Sequence, residues 1–303
     1  MALLSSGNMV STQGATSLTL EAKANRSYRV TDVHVLGQTG AYATFKCDGK
    51  AQFYVRANSD ATGLGNMIPY IPKSTQIKTI LGYLKAAGIW KGYPVPTGTK
   101  FIVSVPTSTF ISIEYDEYDA NEVKETEQGG KHAKERILLV YGKTAAAIAT
   151  ATETQINTKV LPADFPDFPF SDVCPAKRKM EVLGLCASAR AYTLSSGNDI
   201  YTTYLRMVNN DGTMFDPVDT KGFLCQAVPS ASSTTFIAEA GYDIFGEASL
   251  LYQKPPYMFK TPLVFTEGQQ LDTHWTTAMT GTGTRELSTA QSEICYIVRE
   301  TEV

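Results

Sequence analysis

Short runs of alternating hydrophobic and polar residues dominate the chain, and a period of two predicts β-strands. Residues 28–35 alternate in this way but slip by one near Thr31 and Asp32, which predicts a β-bulge. On this pattern the strand carries two sets of side chains on opposite faces: Tyr28, Val30 and His34 on one, Val33 and Val35 on the other.

Five further strands are predicted, at residues 100–105, 109–115, 200–208, 271–277 and 293–299. A turn from Pro106 to Ser108 joins the first two of them. Helical periodicity is found twice, in the Ala-rich residues 143–152 and in residues 75–87, where four apolar side chains share one side: Ile77, Ile80, Leu81 and Leu84.

Similar short motifs recur in the same order in both halves of the chain, which indicates an internal duplication. The pairs are Leu3-Leu4-x-x-Gly7 with Leu138-Leu139-x-x-Gly142, residues 28–37 with 178–185, Tyr42 to Asp48-Gly49 with Tyr201 to Asp211-Gly212, and the strands that follow Gly98 and Gly268. The third pair predicts strand, Asp-Gly hairpin turn and strand. Each half closes with a strand and an acidic tail. The fold class is therefore predicted as all-β, with two tandem antiparallel β-sandwiches and one or two short helices.

Residues 121–136 separate the two halves. This stretch is charged, almost free of apolar residues and interrupted by Gly129 and Gly130, so it predicts a solvated linker or long turn. The predicted domains are residues 1–128 and residues 129–303. A second irregular stretch, residues 161–170, is too rich in proline for regular structure. It is interpreted either as a loop packed on its own domain or as an arm that contacts a neighbouring subunit.

The composition fits strands and turns, because 23 Gly, 14 Pro and 16 Tyr accompany 43% hydrophobic residues. The formal net charge of -3 supplies no concentrated positive field, which argues against nucleic acid as the main partner. No stretch has the charged and apolar regions of an export signal, and no run of 18 apolar residues predicts a bilayer span. The five cysteines are expected to be reduced and buried in an intracellular product: Cys47, Cys174, Cys186, Cys225 and Cys295.

Candidate catalytic and metal-binding groups are sparse. His34, His132 and His274 are the three histidines, and neither half has the paired histidines of a cupin metal site. The chain also lacks a nucleophile elbow and a phosphate-binding glycine loop. We therefore predict no catalytic, cofactor-binding or metal-binding residue, no cofactor and no enzymatic activity.

Glu114 and Asp116 lie on one face of a predicted strand, in a carboxylate cluster that extends to Asp119. A sugar or calcium site is conceivable there, but a solvated strand end is the favoured interpretation. Four aromatic residues are candidates for stacking on sugar rings, although core packing or subunit contacts explain them equally well: Trp90, Tyr93, Tyr257 and Trp275.

Two sandwiches in series, with late strands that begin at Gly98 and Gly268 and a short helix before them, are typical of two jelly rolls. In this pattern the chain resembles the double jelly-roll major capsid proteins of tailless icosahedral viruses, which include membrane-containing bacteriophages and the adenovirus hexon. The resemblance covers the whole chain and is carried by fold pattern alone.

The resemblance implies a structural coat protein of the virion, assembled in the host cytoplasm as trimers of pseudo-hexagonal outline. Its implied partners are further copies of the chain, other capsid proteins such as a penton or spike, and an internal lipid membrane, without sequence-specific binding of nucleic acid. Residues 1–16 and 161–170 would then be candidates for contacts with neighbours or membrane. The alternative from another class is a carbohydrate-binding or receptor-binding module, such as a phage fibre or adhesin.

Overall fold

The structure is a computed structural model, and it describes residues 2–36, 42–47, 50–56, 71–73, 76–78, 80–130, 133–143, 148–149, 153–156, 173–188, 191–192, 201–209, 212–215, 224–229, 236–238, 257–270, 272–279, 286–287 and 293–303. The described residues are mostly β-strands that pair in antiparallel sheets, which confirms the predicted all-β class. Among the described residues the one helix is α1 (Ile80–Ala86). No helix in the described part of the chain is long and apolar enough to cross a membrane.

The strands of the first half are β1 (Leu3–Glu21), β2 (Arg26–Leu36), β3 (Tyr42–Cys47), β4 (Lys50–Arg56), β5 (Ile71–Lys73), β6 (Gln76–Lys78), β7 (Tyr93–Val95) and β8 (Lys100–Asp119). Those that follow are β9 (Glu135–Lys143), β10 (Ile148–Ala149), β11 (Glu153–Ile156), β12 (Arg178–Ser188), β13 (Ala191–Tyr192), β14 (Tyr201–Asn209), β15 (Gly212–Phe215), β16 (Leu224–Pro229), β17 (Phe236–Ala238), β18 (Tyr257–Phe265), β19 (Asp272–Met279), β20 (Glu286–Leu287) and β21 (Glu293–Glu302).

Contacts between residues group the chain into two compact units. Unit 1 contains Met1–Leu139 with Arg299–Glu302, and unit 2 contains most of the described residues between Val140 and Val298. The sandwich domains predicted at 1–128 and 129–303 stay a prediction.

In unit 1 the long strand β8 organises the sheet. β1 pairs with β8 along one edge, while the other edge of β8 pairs with β3 in its first half and with β2 in its second. β2 continues to β7, and β3 continues to β4. Two strand orders result, β1-β8-β2-β7 and β1-β8-β3-β4.

Among strands β9 to β21 the same orders recur, on separate strands. One sheet has the order β9-β21-β12-β18, and a second contains β11-β19-β14-β16. In each set of strands, β1–β8 and β9–β21, the first strand pairs with the last, and the last pairs with the strand that begins at Arg26 or Arg178.

A tight corner turn precedes the late strands of both units. Gly98 and Gly268 adopt positive φ angles of 78° and 82°, which only glycine adopts at little cost, and each occupies the third position of a four-residue turn. Three equivalent main-chain hydrogen bonds fix each turn. In unit 1 they are Ala22 N to Thr99 O (3.0 Å), Gly98 N to Ala22 O (3.3 Å) and Thr99 N to Pro96 O (3.1 Å). In unit 2, in the same order, they are Cys174 N to Gln269 O (2.8 Å), Gly268 N to Cys174 O (3.0 Å) and Gln269 N to Thr266 O (3.0 Å).

The predicted turn from Pro106 to Ser108 is wrong, because β8 runs through it without reversing. Ser104 and Thr109 pair with Ser17 and Ala15 of β1, so four residues of β8 bulge opposite the single residue Thr16. Pro106 has no N–H to donate to a ladder, and a bulge accommodates it without ending the strand.

Both predicted helices are corrected by the structure. In the 75–87 segment, residues 76–78 form β6 and only Ile80–Ala86 are helical. In the 143–152 segment, Ile148 and Ala149 form β10, which pairs with β20. The alanine pattern was outweighed there by strand pairing, as tertiary context often outweighs helix propensity.

The predicted bulge of β2 is confirmed, but its effect on the faces was predicted wrongly. The register against β8 shifts between Val30 and Asp32, so that Val30 faces Tyr115 and Val33 faces Ile113. Tyr28 and Val30 therefore share the apolar face with Val33 and are buried in the core of unit 1.

Candidate functional site

The bulge in β2 also brings several charged residues onto one face of the sheet in unit 1. It places Asp32 and His34 on the face of the sheet that bears Glu114 and Asp116 of β8. Arg29 lies on the same face, because it pairs with Asp116 in the register. Arg29, Asp32 and Asp116 are buried nonetheless, so each requires a partner within the protein.

Asp116 obtains two partners from other elements. One carboxylate oxygen accepts a hydrogen bond from the backbone N–H of Gly7 in β1, at 3.2 Å. The other lies 3.0 Å from Nζ of Lys85 in α1. Asp116 thus ties the first strand and the helix to β8, and the favoured interpretation of a solvated strand end is wrong for this residue.

The second group consists of a histidine between two carboxylates. Nε2 of His34 lies 3.1 Å from Oε1 of Glu114 and 3.6 Å from Oδ2 of Asp32. Oδ1 of Asp32 accepts a hydrogen bond from the N–H of Val33 at 2.8 Å. Within the described ranges no set of three or more acidic, histidine or cysteine side chains is arranged to hold a metal ion. The group is therefore best explained as a hydrogen-bonded polar cluster at the bulge.

The third group contains Arg29, whose guanidinium forms an ion pair with Glu127 and lies 5.7 Å from the ring centre of Tyr118. Glu127 belongs to residues 121–136, which were predicted as a solvated linker or long turn. In the structure residues 120–130 form turns, with Val123, Gly129 and Gly130 buried. The prediction of a turn is therefore correct for this part, and its solvation is only partial, because three of residues 121–130 are buried.

Two of the aromatic candidates for sugar stacking belong to the core of unit 1. Trp90 and Tyr93 are fully buried, so neither presents a ring to a ligand. Tyr93 packs on Phe101, with ring centres 5.2 Å apart. Tyr257 and Trp275 lie in strands β18 and β19, and their side chains fall outside the described residues.

Tyr115 shows an electrostatic effect of this packing. Its ring lies on the apolar face of β8, 4.9 Å from the ring of Tyr28. Burial raises the pKa of Tyr115 above its ordinary value, and the neighbouring Tyr28 and Glu117 raise it further. The neutral phenol is thus the form that the folded state favours.

The remaining candidates carry no chemistry that the structure describes. Cys174 is buried and in no disulfide, and its Sγ lies 3.2 Å from the carbonyl oxygen of Arg178. The side chains of His274 and of the cysteines at 47, 186, 225 and 295 fall outside the described residues, as do His132 and residues 161–170 entirely.

Sequence reasoning missed the partners of Arg29 and Asp116. The local signal was weak, because both residues lie among other polar ones: β2 also contains Asp32 and His34, and Asp116 lies in the acidic end of β8. The partner in each case lies more than 30 residues away, where no local pattern points to it.

Comparison with known proteins identifies no relative. No protein-family model matches the chain, and no curated protein is detectably similar to it in sequence.

Proposed function

We propose that this chain is the major capsid protein of a tailless icosahedral virus, built as a double jelly roll and self-associating into the shell. The single observation that carries the proposal is that the two four-strand orders of β1 to β8 recur among strands β9 to β21, where β15 and β17 are additional in the second sheet. The proposed location is the virion, after assembly in the host cytoplasm.

A jelly roll is a long antiparallel hairpin of four strand pairs that is rolled into two sheets. If its strands are numbered 1 to 8, one sheet has the order 1-8-3-6 and the other has 2-7-4-5. Among strands β9 to β21 these orders correspond to β9-β21-β12-β18 and β11-β19-β14-β16. In unit 1, β1 would supply strands 1 and 2, and β8 would supply strands 7 and 8. The bulge at residues 105–108 would then mark the passage from one sheet to the other.

Two similar sandwiches in one chain support a shell function for a geometric reason. Three copies with two similar units each present six similar units around one axis, and such a trimer approximates a hexagon. The implied partners are neighbouring copies, other shell proteins such as a penton or spike, and an internal membrane.

The site geometry also weighs against a sugar-binding role for the residues that first favoured one. Asp116 is occupied by Gly7 and Lys85, and Trp90 and Tyr93 are buried. A carbohydrate- or receptor-binding module remains the alternative that the test must distinguish.

The test is the mass of the purified protein in solution, measured by light scattering behind a sizing column, with electron microscopy of the same peak. The expected result is a trimer of three times 33.0 kDa with a six-sided outline. A monomer that binds glycans on an array would refute the capsid proposal and favour the alternative.

A further inference from the structure

β1 is a long edge strand. It spans 19 residues, Leu3–Glu21, and pairs with β8 along one edge. No other described strand pairs with its second edge. At about 3.3 Å per residue, this leaves an edge roughly 60 Å long whose outward N–H and C=O groups are available for pairing.

Natural proteins usually protect such an edge with charged residues, proline, very short strands or bulges, and of these devices β1 has only bulges. From Leu3 to Leu20, β1 contains no charged residue and no proline. Of the five exposed large apolar side chains in the described residues, three are in β1: Leu3 (52% exposed), Leu4 (45%) and Met9 (64%). This combination of neutral sequence, length and apolar exposure is typical of a strand that meets a partner.

Two of the four irregularities in the pairing of β1 with β8 lie symmetrically about Val10. The strand has one extra residue between Ser5 and Asn8 and another between Thr12 and Ala15; the other two shifts lie outside them, between Leu3 and Ser5 and between Ala15 and Ser17. Each of the two symmetric bulges contains a glycine with positive φ, Gly7 at 68° and Gly14 at 72°.

The five residues between the bulges, 8–12, pair regularly and are centred on Val10. If two β1 strands pair antiparallel about Val10, Gly7 lies opposite Gln13 and Gly14 lies opposite Ser6. Each bulge then faces the other bulge of the partner strand.

We propose that the outer edge of β1 pairs antiparallel with β1 of a second copy of this chain, about a two-fold axis at Val10. A neutral strand meets its own copy without like-charge repulsion, which would destabilise self-pairing of a charged one. In this register residues 3–17 of each copy lie opposite residues 17–3 of the other, so β1 alone supplies 15 residues a side, whereas a stable interface has about 20–30.

Antiparallel pairing of identical strands has two-fold symmetry by necessity, so this contact differs from any three-fold contact. It does not depend on the proposed capsid function, because a lectin dimer would use the same edge. In a shell it would join two capsomers.

Cross-linking of single-cysteine variants tests the register. In Val10→Cys the two new thiols face each other across the axis. In Gln13→Cys they lie six residues apart along the paired strands, roughly 20 Å. With a short bifunctional maleimide, Val10→Cys is expected to form covalent dimers at least about tenfold faster than Gln13→Cys. The unsubstituted protein gives the background from the five native cysteines. Equal or slower cross-linking of Val10→Cys overturns the proposal.

A charge variant tests the contact without new thiols. Met9 lies opposite Ser11 in the proposed register, so Met9→Lys with Ser11→Lys brings lysines together in both symmetric pairs. We expect the two-fold association to weaken at least about tenfold. Val264→Lys, another exposed apolar site, is the matched control and should leave association unchanged. Unchanged association of the β1 double variant would overturn the proposal, whereas the trimer measurement bears on the capsid function alone.

Discussion

Replacement of Glu127 by alanine should destabilise unit 1 more than the replacement of a turn residue usually does. Only 6% of the Arg29 side chain is exposed. Glu127 is its ion-pair partner, and 21% of the Glu127 side chain is exposed. The other oxygen of the same carboxylate accepts a hydrogen bond from the N–H of Lys124 at 3.0 Å. Glu127→Ala therefore removes both the partner of a buried charge and a bond that shapes the turn.

The magnitude follows from burial. Loss of one partner of a fully buried ion pair costs about 3–5 kcal/mol. The partial exposure of Glu127 lowers this cost, and Tyr118 still faces the guanidinium, so we expect about 2–3 kcal/mol in the free energy of unfolding. Glu127→Gln keeps an acceptor for Lys124 and for Arg29 and should cost roughly half as much.

Chemical denaturation followed by tryptophan fluorescence measures this cost. The chain has two tryptophans, Trp90 in unit 1 and Trp275 in unit 2. In a Trp275→Phe background the signal reports unit 1 alone, since Trp90 lies beside Gly129 of the same turn. Thr126→Ala, an exposed neighbour in the turn, is the control and should change stability by less than about 0.5 kcal/mol.

A second substitution separates buried charge from lost packing. Arg29→Met added to Glu127→Ala removes the unpaired charge and should recover part of the stability. If Glu127→Ala unfolds within about 0.5 kcal/mol of its parent, Arg29 does not depend on this turn, and residues 120–130 are a solvated linker after all.

Three further predictions concern unit 1. In the same denaturation assay Gly92→Ala should lower the free energy of unfolding by at least about 2 kcal/mol more than Gly88→Ala. Both glycines have positive φ, but only at position 92 would the new Cβ lie 2.7 Å from the carbonyl oxygen of Val30. Tyr115 has a raised pKa in the folded state, so unit 1 should lose stability as the pH rises above about 10, and Tyr115→Phe should reduce this loss. Glu300→Gln should lower the free energy of unfolding by about 1–2 kcal/mol, because this buried carboxylate lies 2.8 Å from a guanidinium nitrogen of Arg136. Thermal unfolding measures the change, and an unchanged melting temperature would contradict a stabilising ion pair.

The sequence predicted the strands where alternation is strong, and it located the bulge of β2 correctly. It failed on which residues share a face, because one extra residue reverses the alternation and only pairing with β8 shows where the reversal occurs. Proline at position 106 was similarly ambiguous. It is compatible with a turn or with a bulge, and the continuous partner β1 decides between them.

The polar groups were the least predictable part of unit 1. The charged residues of 121–136 gave every local sign of solvation, yet the carboxylate of Glu127 pairs with a guanidinium buried 98 residues earlier in the chain. Trp90 and Tyr93 lie in a stretch with several glycines and prolines, whose local pattern does not indicate whether an aromatic side chain is buried. Their burial depends on the turn at 120–130, which no local pattern connects to them.

The two corner turns explain why the duplication was visible in the sequence only as scattered matches. All three hydrogen bonds that fix each corner join main-chain atoms, so the side chains at Ala22 and Cys174 are free to differ as long as both are small enough to be buried. Only Gly98 and Gly268 are held to one residue type, by their positive φ angles. A corner of this kind can keep its geometry while almost every side chain changes. The shared strand order is therefore stronger support for duplication than any count of identical residues.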